Sequence, residues 1–280
     1  MHNLTFPFLP KRLYCVIGWP LDQSLSPLLH NTGFQTLGLD AIYLQIPVSA
    51  QDLPRFLDSV RLLPISGCSV TIPHKTAIIP FLDSVSDRAQ QIGAVNTLYW
   101  RDEKLVGENT DCTGFLAPLA NVALNTMTVL LLGAGGAARA CLRGLQERQA
   151  KNIFIATPSN TRQIALAEEF AAEPILWQER YDVHADLIVN ATPLGMHGSH
   201  EHETPYDFAQ SSCQASLAYD IVYNPRETRF LREAARHGLS CLSGQTMFFE
   251  QGNAQFHLWT GQKLPEEAQN ILHQALARKA

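Results

Sequence analysis

A lysine and an aspartate on separate turns can hold an alcohol between them, the ammonium donating to its oxygen and the carboxylate accepting from it. The sequence offers one such combination: Lys75, directly after Val70-Thr71-Ile72-Pro73-His74, and Asp111, which closes Glu108-Asn109-Thr110. Taken without context the same two residues would make an ordinary surface ion pair. Two further clusters place polar side chains at element ends, Ser24-Leu25-Ser26-Pro27 and Gly93-Ala94-Val95-Asn96-Thr97. The serine hydroxyls suit a carboxylate or a helix start, and Ser26 is expected as the N-cap of a helix that has Pro27 at its first position.

A different chemistry is written in the second half. There Gly133-Ala134-Gly135-Gly136-Ala137-Ala138 follows the apolar run Thr128–Leu132 and opens a segment of helical pattern at 139–149. Glycines at 133 and 135 permit a tight turn and close backbone approach to a pyrophosphate lying on a helix N-terminus. Without that context the motif is only a glycine turn that packs a helix on a sheet. An adenosine ribose with a free 2′-hydroxyl needs Asp or Glu at the end of the next strand, about 20 residues beyond the first glycine. Here stand Thr157-Pro158-Ser159-Asn160-Thr161-Arg162. Hydroxyls and a guanidinium suit a 2′-phosphate, so NADP is favoured over NAD, unless Arg162 merely decorates the solvated face of the following helix.

The elements that must carry these groups are legible from periodicity. Short β-branched runs alternate with helical segments, which implies α/β architecture. Strands are expected at 14–18, 41–46, 67–72, 128–132, 152–156, 186–191 and 218–222, and helices at 27–37, 53–63, 246–260 and 266–278. The strands at 186–191 and 218–222 end in Asn190-Ala191-Thr192-Pro193 and Tyr223-Asn224-Pro225, at the strand ends where open α/β sheets bind ligands. The last two helices are expected to pack back on the first half.

Composition narrows the partners. A chain of 280 residues, 46% hydrophobic and 17% charged, can bury two adjoining cores, and a net charge of -5 gives nothing to attract nucleic acid or anionic lipid. No apolar run approaches the length of a membrane span, and residues 1–12 lack a secretory layout, so a cytoplasmic location is expected. The six cysteines (Cys15, Cys68, Cys112, Cys141, Cys213, Cys241) show no zinc spacing and read as reduced thiols. His197, His200 and His202 read as a solvated loop, so no metal is expected, and His30 and His74 as satisfying local backbone groups.

In their order and wording these motifs resemble the shikimate dehydrogenase family over most of the chain. Ser24 and Ser26 match its carboxylate-binding serines, Thr71 and Lys75 its Pro-x-Lys strand and turn, and Asn96 and Asp111 its Gly-Ala-x-Asn-Thr and Asn-Thr-Asp motifs. The glycine loop, Asn190-Ala191-Thr192-Pro193-Leu194-Gly195-Met196, and Tyr219-Asp220-Ile221-Val222-Tyr223-Asn224-Pro225 match its nucleotide half, and Gln251 its returning helix.

The resemblance implies an N-terminal α/β substrate domain with an open twisted sheet (1–113 and 247–280) and a Rossmann-type NADP domain (114–246), with C-terminal helices returning to the first. It implies reversible reduction of 3-dehydroshikimate to shikimate. Lys75 and Asp111 would be catalytic, and Ser24, Ser26, Thr71, Asn96, Tyr223 and Gln251 would bind substrate. Gly133, Ala134, Gly135, Gly136, Ala137, Thr157, Ser159, Arg162, Thr192, Pro193, Ile221 and Gly244 would bind cofactor. A monomer or homodimer is expected. Ser69, Pro158, Thr246 and Phe248 replace the family's more usual Asn, Arg, Gly and Leu. They resemble the drift of paralogues that accept quinate or prefer NAD. A metabolite sensor without catalysis, or a nicotinamide enzyme acting on another ring, are the other readings; the presence of Lys75 and Asp111 argues against the sensor.

Overall fold

In the computed structural model, whose described residues are 10–21, 24–211 and 215–277, the chain forms two six-stranded sheets, each in its own compact unit. The first unit holds the described residues up to Gln90, then Ala94–Asn109 and Gly252–Ala275; the second holds Gln91–Gly93, Thr110–Gln251 and the chain from Leu276.

In the first unit, β1 (Arg12–Gly18), α1 (Ser26–Thr36), β2 (Ala41–Pro47), α2 (Leu53–Leu62) and β3 (Ile65–Val70) follow one another. They are succeeded by β4 (Ser84–Val85), α3 (Asp87–Ile92), β5 (Thr97–Arg101) and β6 (Lys104–Glu108). The sheet order is β2-β1-β3-β5-β6-β4, parallel from β2 to β3, then antiparallel across β5 and β6. Cys15, Ile17, Val70, Leu57 and Val60 build one core. On the sheet's other side Tyr14 meets Phe34 and Trp259 at 5.1 Å between ring centroids.

In the second unit come α4 (Asp111–Leu116), β7 (Thr128–Leu132), α5 (Gly136–Glu147), β8 (Asn152–Ala156), α6 (Arg162–Glu169), β9 (Glu173–Pro174), β10 (Leu187–Asn190), β11 (Leu217–Asp220), α7 (Arg229–Arg236), β12 (Ser240–Ser243) and α8 (Gly244–Thr260); α9 (Glu266–Ala277) closes the chain. All six strands run parallel in the order β12-β11-β10-β7-β8-β9, the doubly wound order with its switch point between β7 and β10. Val129 and Leu131 feed one core and Leu130 and Leu132 the other, so the strand reads as an unbroken apolar run because both its faces are covered.

The returning tail behaves as expected: from Gly252 onward α8 belongs to the first unit, where Trp259 donates to the Leu98 carbonyl at 2.9 Å. The units part at 109/110 and 251/252 rather than at the boundaries read from sequence. The reason is packing, since Phe115 of α4 and Met247 of α8 both lie in the core of the second unit. Ser26 is not an N-cap. It lies within α1, Leu25 takes the cap position without a side-chain bond, and the Ser26 amide instead approaches the Ser24 hydroxyl at 3.4 Å. Cys213 and Arg278 lie outside the described residues.

Candidate active site

The first unit gathers Thr71, Lys75 and Asn96 through backbone ties between motifs distant in sequence. Val70 N–H donates to the Asn96 carbonyl at 2.7 Å and Val95 N–H to the Lys75 carbonyl at 2.7 Å. β3 ends at Val70, and the turn that follows is pinned by His74, whose Nε2 meets the Val48 carbonyl at 2.7 Å. His74 thus satisfies a backbone group as expected, and Lys75 emerges half-buried beside it. Asn109 donates to the Ala94 carbonyl at 2.9 Å, fastening the Glu108-Asn109 segment to the Asn96 loop.

His30 departs from expectation: neither ring nitrogen meets a backbone group, and the ring stacks on Tyr43 at 4.5 Å between centroids. Burial pushes it down to about 3, so it is a neutral aromatic. Ser24, half-buried, has its carbonyl held by Gln45 at 3.1 Å, and Ser26 is buried against the Tyr43 hydroxyl.

Asp111, Gln251 and Tyr223 belong to the second unit. Asp111 is buried at the start of α4. That helix packs so tightly on α8 that a Cβ at Gly114 would lie 2.5 Å from the Met247 carbonyl and 2.9 Å from Gln251 Cβ. Gln251 donates to the Phe248 carbonyl at 2.8 Å, and the Phe248 ring stacks on Tyr223 at 4.0 Å between centroids.

At the carboxyl ends of β7, β8, β10 and β11 the unit presents loops, while β12 runs directly into α8. Gly133, at φ 121°, would thrust a Cβ 2.7 Å from the Ala191 carbonyl, so only glycine fits between these two loops. A Cβ on Gly135 would meet open space, which leaves the first turn of α5, with Gly136 and Ala137, accessible to a ligand. Arg139 is committed elsewhere, to Glu169 and to the Ile92 carbonyl.

After β8, Thr157 donates to Gln163 Oε1 at 2.6 Å and is buried, so its proton is spent inside the protein. Ser159 and Arg162 are exposed at the start of α6 with no carboxylate between them. This donor set fits a phosphate-bearing ribose. Gly244 backs directly onto the Ile221 carbonyl, and the buried Asn224 amide and Gln245 Nε2 nearby are unpaired.

Sequence reasoning missed the residue that holds these loops in register. Asp220, at the end of β11, accepts from Thr228 Oγ1 (2.6 Å), Val222 N–H and Asn190 Nδ2 (both 3.0 Å). Asn190 Oδ1 in turn takes both donors of Thr192, at 2.9 and 2.7 Å. Burial pushes the Asp220 carboxyl up to about 7 despite those three donors. A carboxylate directly ahead of Ile221, Val222 and a proline turn was the available signal. In the histidine-rich loop, His197 Nδ1 meets Glu201 at 2.5 Å and His200 Nδ1 meets Glu203 at 3.3 Å, and among the described residues no cluster is arranged for a metal.

Residues 16–98 match the family model of the shikimate dehydrogenase substrate binding domain. The chain is 48% identical over 276 residues to a shikimate dehydrogenase (NADP(+)) of Oleidesulfovibrio alaskensis, covering 98% of this chain and 99% of the relative. It is 46% identical to that of Pelobacter propionicus, covering 94% and 96%. The crystal structure of shikimate 5-dehydrogenase from Thermus thermophilus with NADP(H) and shikimate superposes with a TM-score of 0.84 at 35% identity, covering 96% of this chain and all of that one. With relatives this similar along nearly its whole length, the chain belongs to the shikimate dehydrogenase family.

Proposed function

We infer that this protein is an NADP-dependent shikimate dehydrogenase, an oxidoreductase that reversibly reduces 3-dehydroshikimate to shikimate on the route to aromatic amino acids. The observation that carries the reading is the gathering of Thr71, Lys75 and Asn96 by the ties of Val70 and Val95, in a chain 48% identical to a shikimate dehydrogenase (NADP(+)).

Each residue has a chemical task in this reading. Ser24 and Ser26 donate to the substrate carboxylate, and Thr71, Asn96, Tyr223 and Gln251 bind the ring hydroxyls. NADPH, when bound, supplies the hydride. As the carbonyl carbon is reduced its oxygen gains negative charge, which the Lys75 ammonium stabilises and protonates. In the oxidation direction the Asp111 carboxylate accepts the hydrogen bond of the alcohol and lowers the cost of removing its proton.

The exposed Arg162 and Ser159 would hold the 2′-phosphate, and Gly133, Ala134, Gly135, Gly136 and Ala137 would offer backbone donors to the pyrophosphate. Thr192, Pro193, Ile221 and Gly244 would also contact the cofactor. Thr157 contributes by shaping the loop through Gln163. A cytoplasmic location and a monomeric or homodimeric state go with the reading.

The test is direct: purified protein mixed with 3-dehydroshikimate and NADPH, with consumption of reduced nicotinamide followed by absorbance. Consumption that requires both compounds is expected. No consumption at any concentration of the two compounds would refute the reading.

A further inference from the structure

Behind Asn96 lies a chain of hydrogen bonds whose direction is settled by a single backbone carbonyl. Gln255 Nε2 sits 3.1 Å from the Asn96 carbonyl oxygen and 3.0 Å from Thr97 Oγ1. A carbonyl can only accept, so the Gln255 atom facing it is the NH2 group and the opposite atom is Oε1. Oε1 must therefore accept from Ser69 Oγ at 2.7 Å. Ser69, its one proton spent, must accept from the Tyr43 hydroxyl at 2.6 Å.

On the other side, Thr97 Oγ1 receives the Gln255 N–H and gives its own proton to Asn96 Oδ1 at 2.7 Å. Every member of the chain is buried: Tyr43 1%, Ser69 6%, Asn96 2%, Thr97 0% and Gln255 2% exposed. Burial also raises the Tyr43 phenol well above its ordinary value, so that it keeps its proton.

We propose that Gln255 is a positioning residue which, through Thr97, turns the Asn96 amide so that Oδ1 is held inside the protein and Asn96 meets the substrate only as a hydrogen-bond donor. The proposal rests on the reading of Asn96 as a ligand of the substrate ring. It adds a polarity: the ring oxygen at Asn96 is an acceptor, and its own proton goes to another group. It also explains how the chain works with Ser69 where its family more usually has asparagine. The small hydroxyl accepts from Tyr43 and donates its own proton to Gln255 Oε1.

The experiment is steady-state oxidation of shikimate with NADP, comparing wild type, Thr97→Val, Thr97→Ser and Asn96→Asp. Thr97→Val keeps the side-chain shape and removes the donor to Oδ1. It should raise the KM for shikimate about tenfold, leave the KM for NADP unchanged and lower kcat less than it raises KM, the scale of one orienting hydrogen bond. Thr97→Ser restores the hydroxyl and should return KM to within about threefold of wild type.

Asn96→Asp has no N–H to give and should raise the KM by more than about a hundredfold, whereas an Asn96 that accepted from substrate would tolerate it. An unchanged KM in Thr97→Val, a Thr97→Ser as impaired as Thr97→Val, or an Asn96→Asp with near wild-type KM would each overturn the proposal. If Thr97→Val does not fold, Ser69→Ala interrupts the chain further away. A KM raised about threefold then supports the relay, and an unchanged one overturns it. Wild type that fails to oxidise shikimate overturns the functional reading and the relay together; active wild type with insensitive variants overturns the relay alone.

Discussion

Lys75, Arg162 and Asp220 show three different ways in which one side chain can matter. Lys75 acts where charge develops, so Lys75→Ala should lower kcat by about a hundredfold to ten-thousandfold while the KM for shikimate changes little. Steady-state kinetics in the oxidation direction would show it, and an unchanged kcat would remove the role. Arg162 is exposed at the start of α6 and acts by charge-assisted donation. Arg162→Ala should raise the KM for NADP about tenfold or more and leave that for NAD unaltered.

Asp220 acts through stability. Folded, it holds its proton up to about pH 7; unfolded, it releases it in the ordinary carboxylate range near 3.8. Its stabilising contribution is therefore full below that range and is lost as pH rises through 7. Asp220→Asn does not titrate, so urea unfolding should show wild type losing ground to the variant between about pH 4 and 7, by a few kcal/mol, with no further change above. A pH-independent difference would mean the carboxyl titrates normally.

Elements decide which residues meet. Gly114 lets α4 lie on α8, and the atom a Cβ would strike is a backbone carbonyl, which cannot swing aside. Gly114→Ala should therefore destabilise the protein by about 1–3 kcal/mol, seen as a Tm several degrees lower, and cut turnover by displacing Asp111. A variant with wild-type Tm and kcat would show the contact to be slack.

Much of this scale is legible in the sequence. The strands Thr128–Leu132 and Asn152–Ala156 fall where the apolar runs place them, because burial on both faces and a glycine loop between them leave one solution. The β5–β6 hairpin is not legible. Its two-residue turn places Asp102 and Glu103 at φ 50° and 62°, where Asn-Gly is the usual signal and neither residue here announces it. The Ser26 cap fails for a local reason: the Ser-Leu-Ser-Pro run contains two hydroxyls, and the helix takes in the second as its first residue. The roles of Gln255 and Ser69 are invisible for a physical reason as well, since they exist only once strands and helix are packed together.

At the scale of the molecule, a chain with a net charge of -5 and, among the described residues, no helix long and apolar enough to cross a membrane divides into two units that each close a core around their own sheet. The second unit supplies six parallel strands. The first supplies a mixed sheet, with Thr71 and Lys75 in the turn after β3 and Asn96 directly ahead of β5. This division of labour underlies the central claim, that the protein oxidises shikimate with NADP and discriminates for the 2′-phosphate. Initial rates of oxidation of shikimate and of quinate, each with NADP and with NAD, test that claim most directly. The account predicts the highest kcat/KM for shikimate with NADP, whereas a preference for NAD or for quinate, or no turnover with any pair, would contradict it.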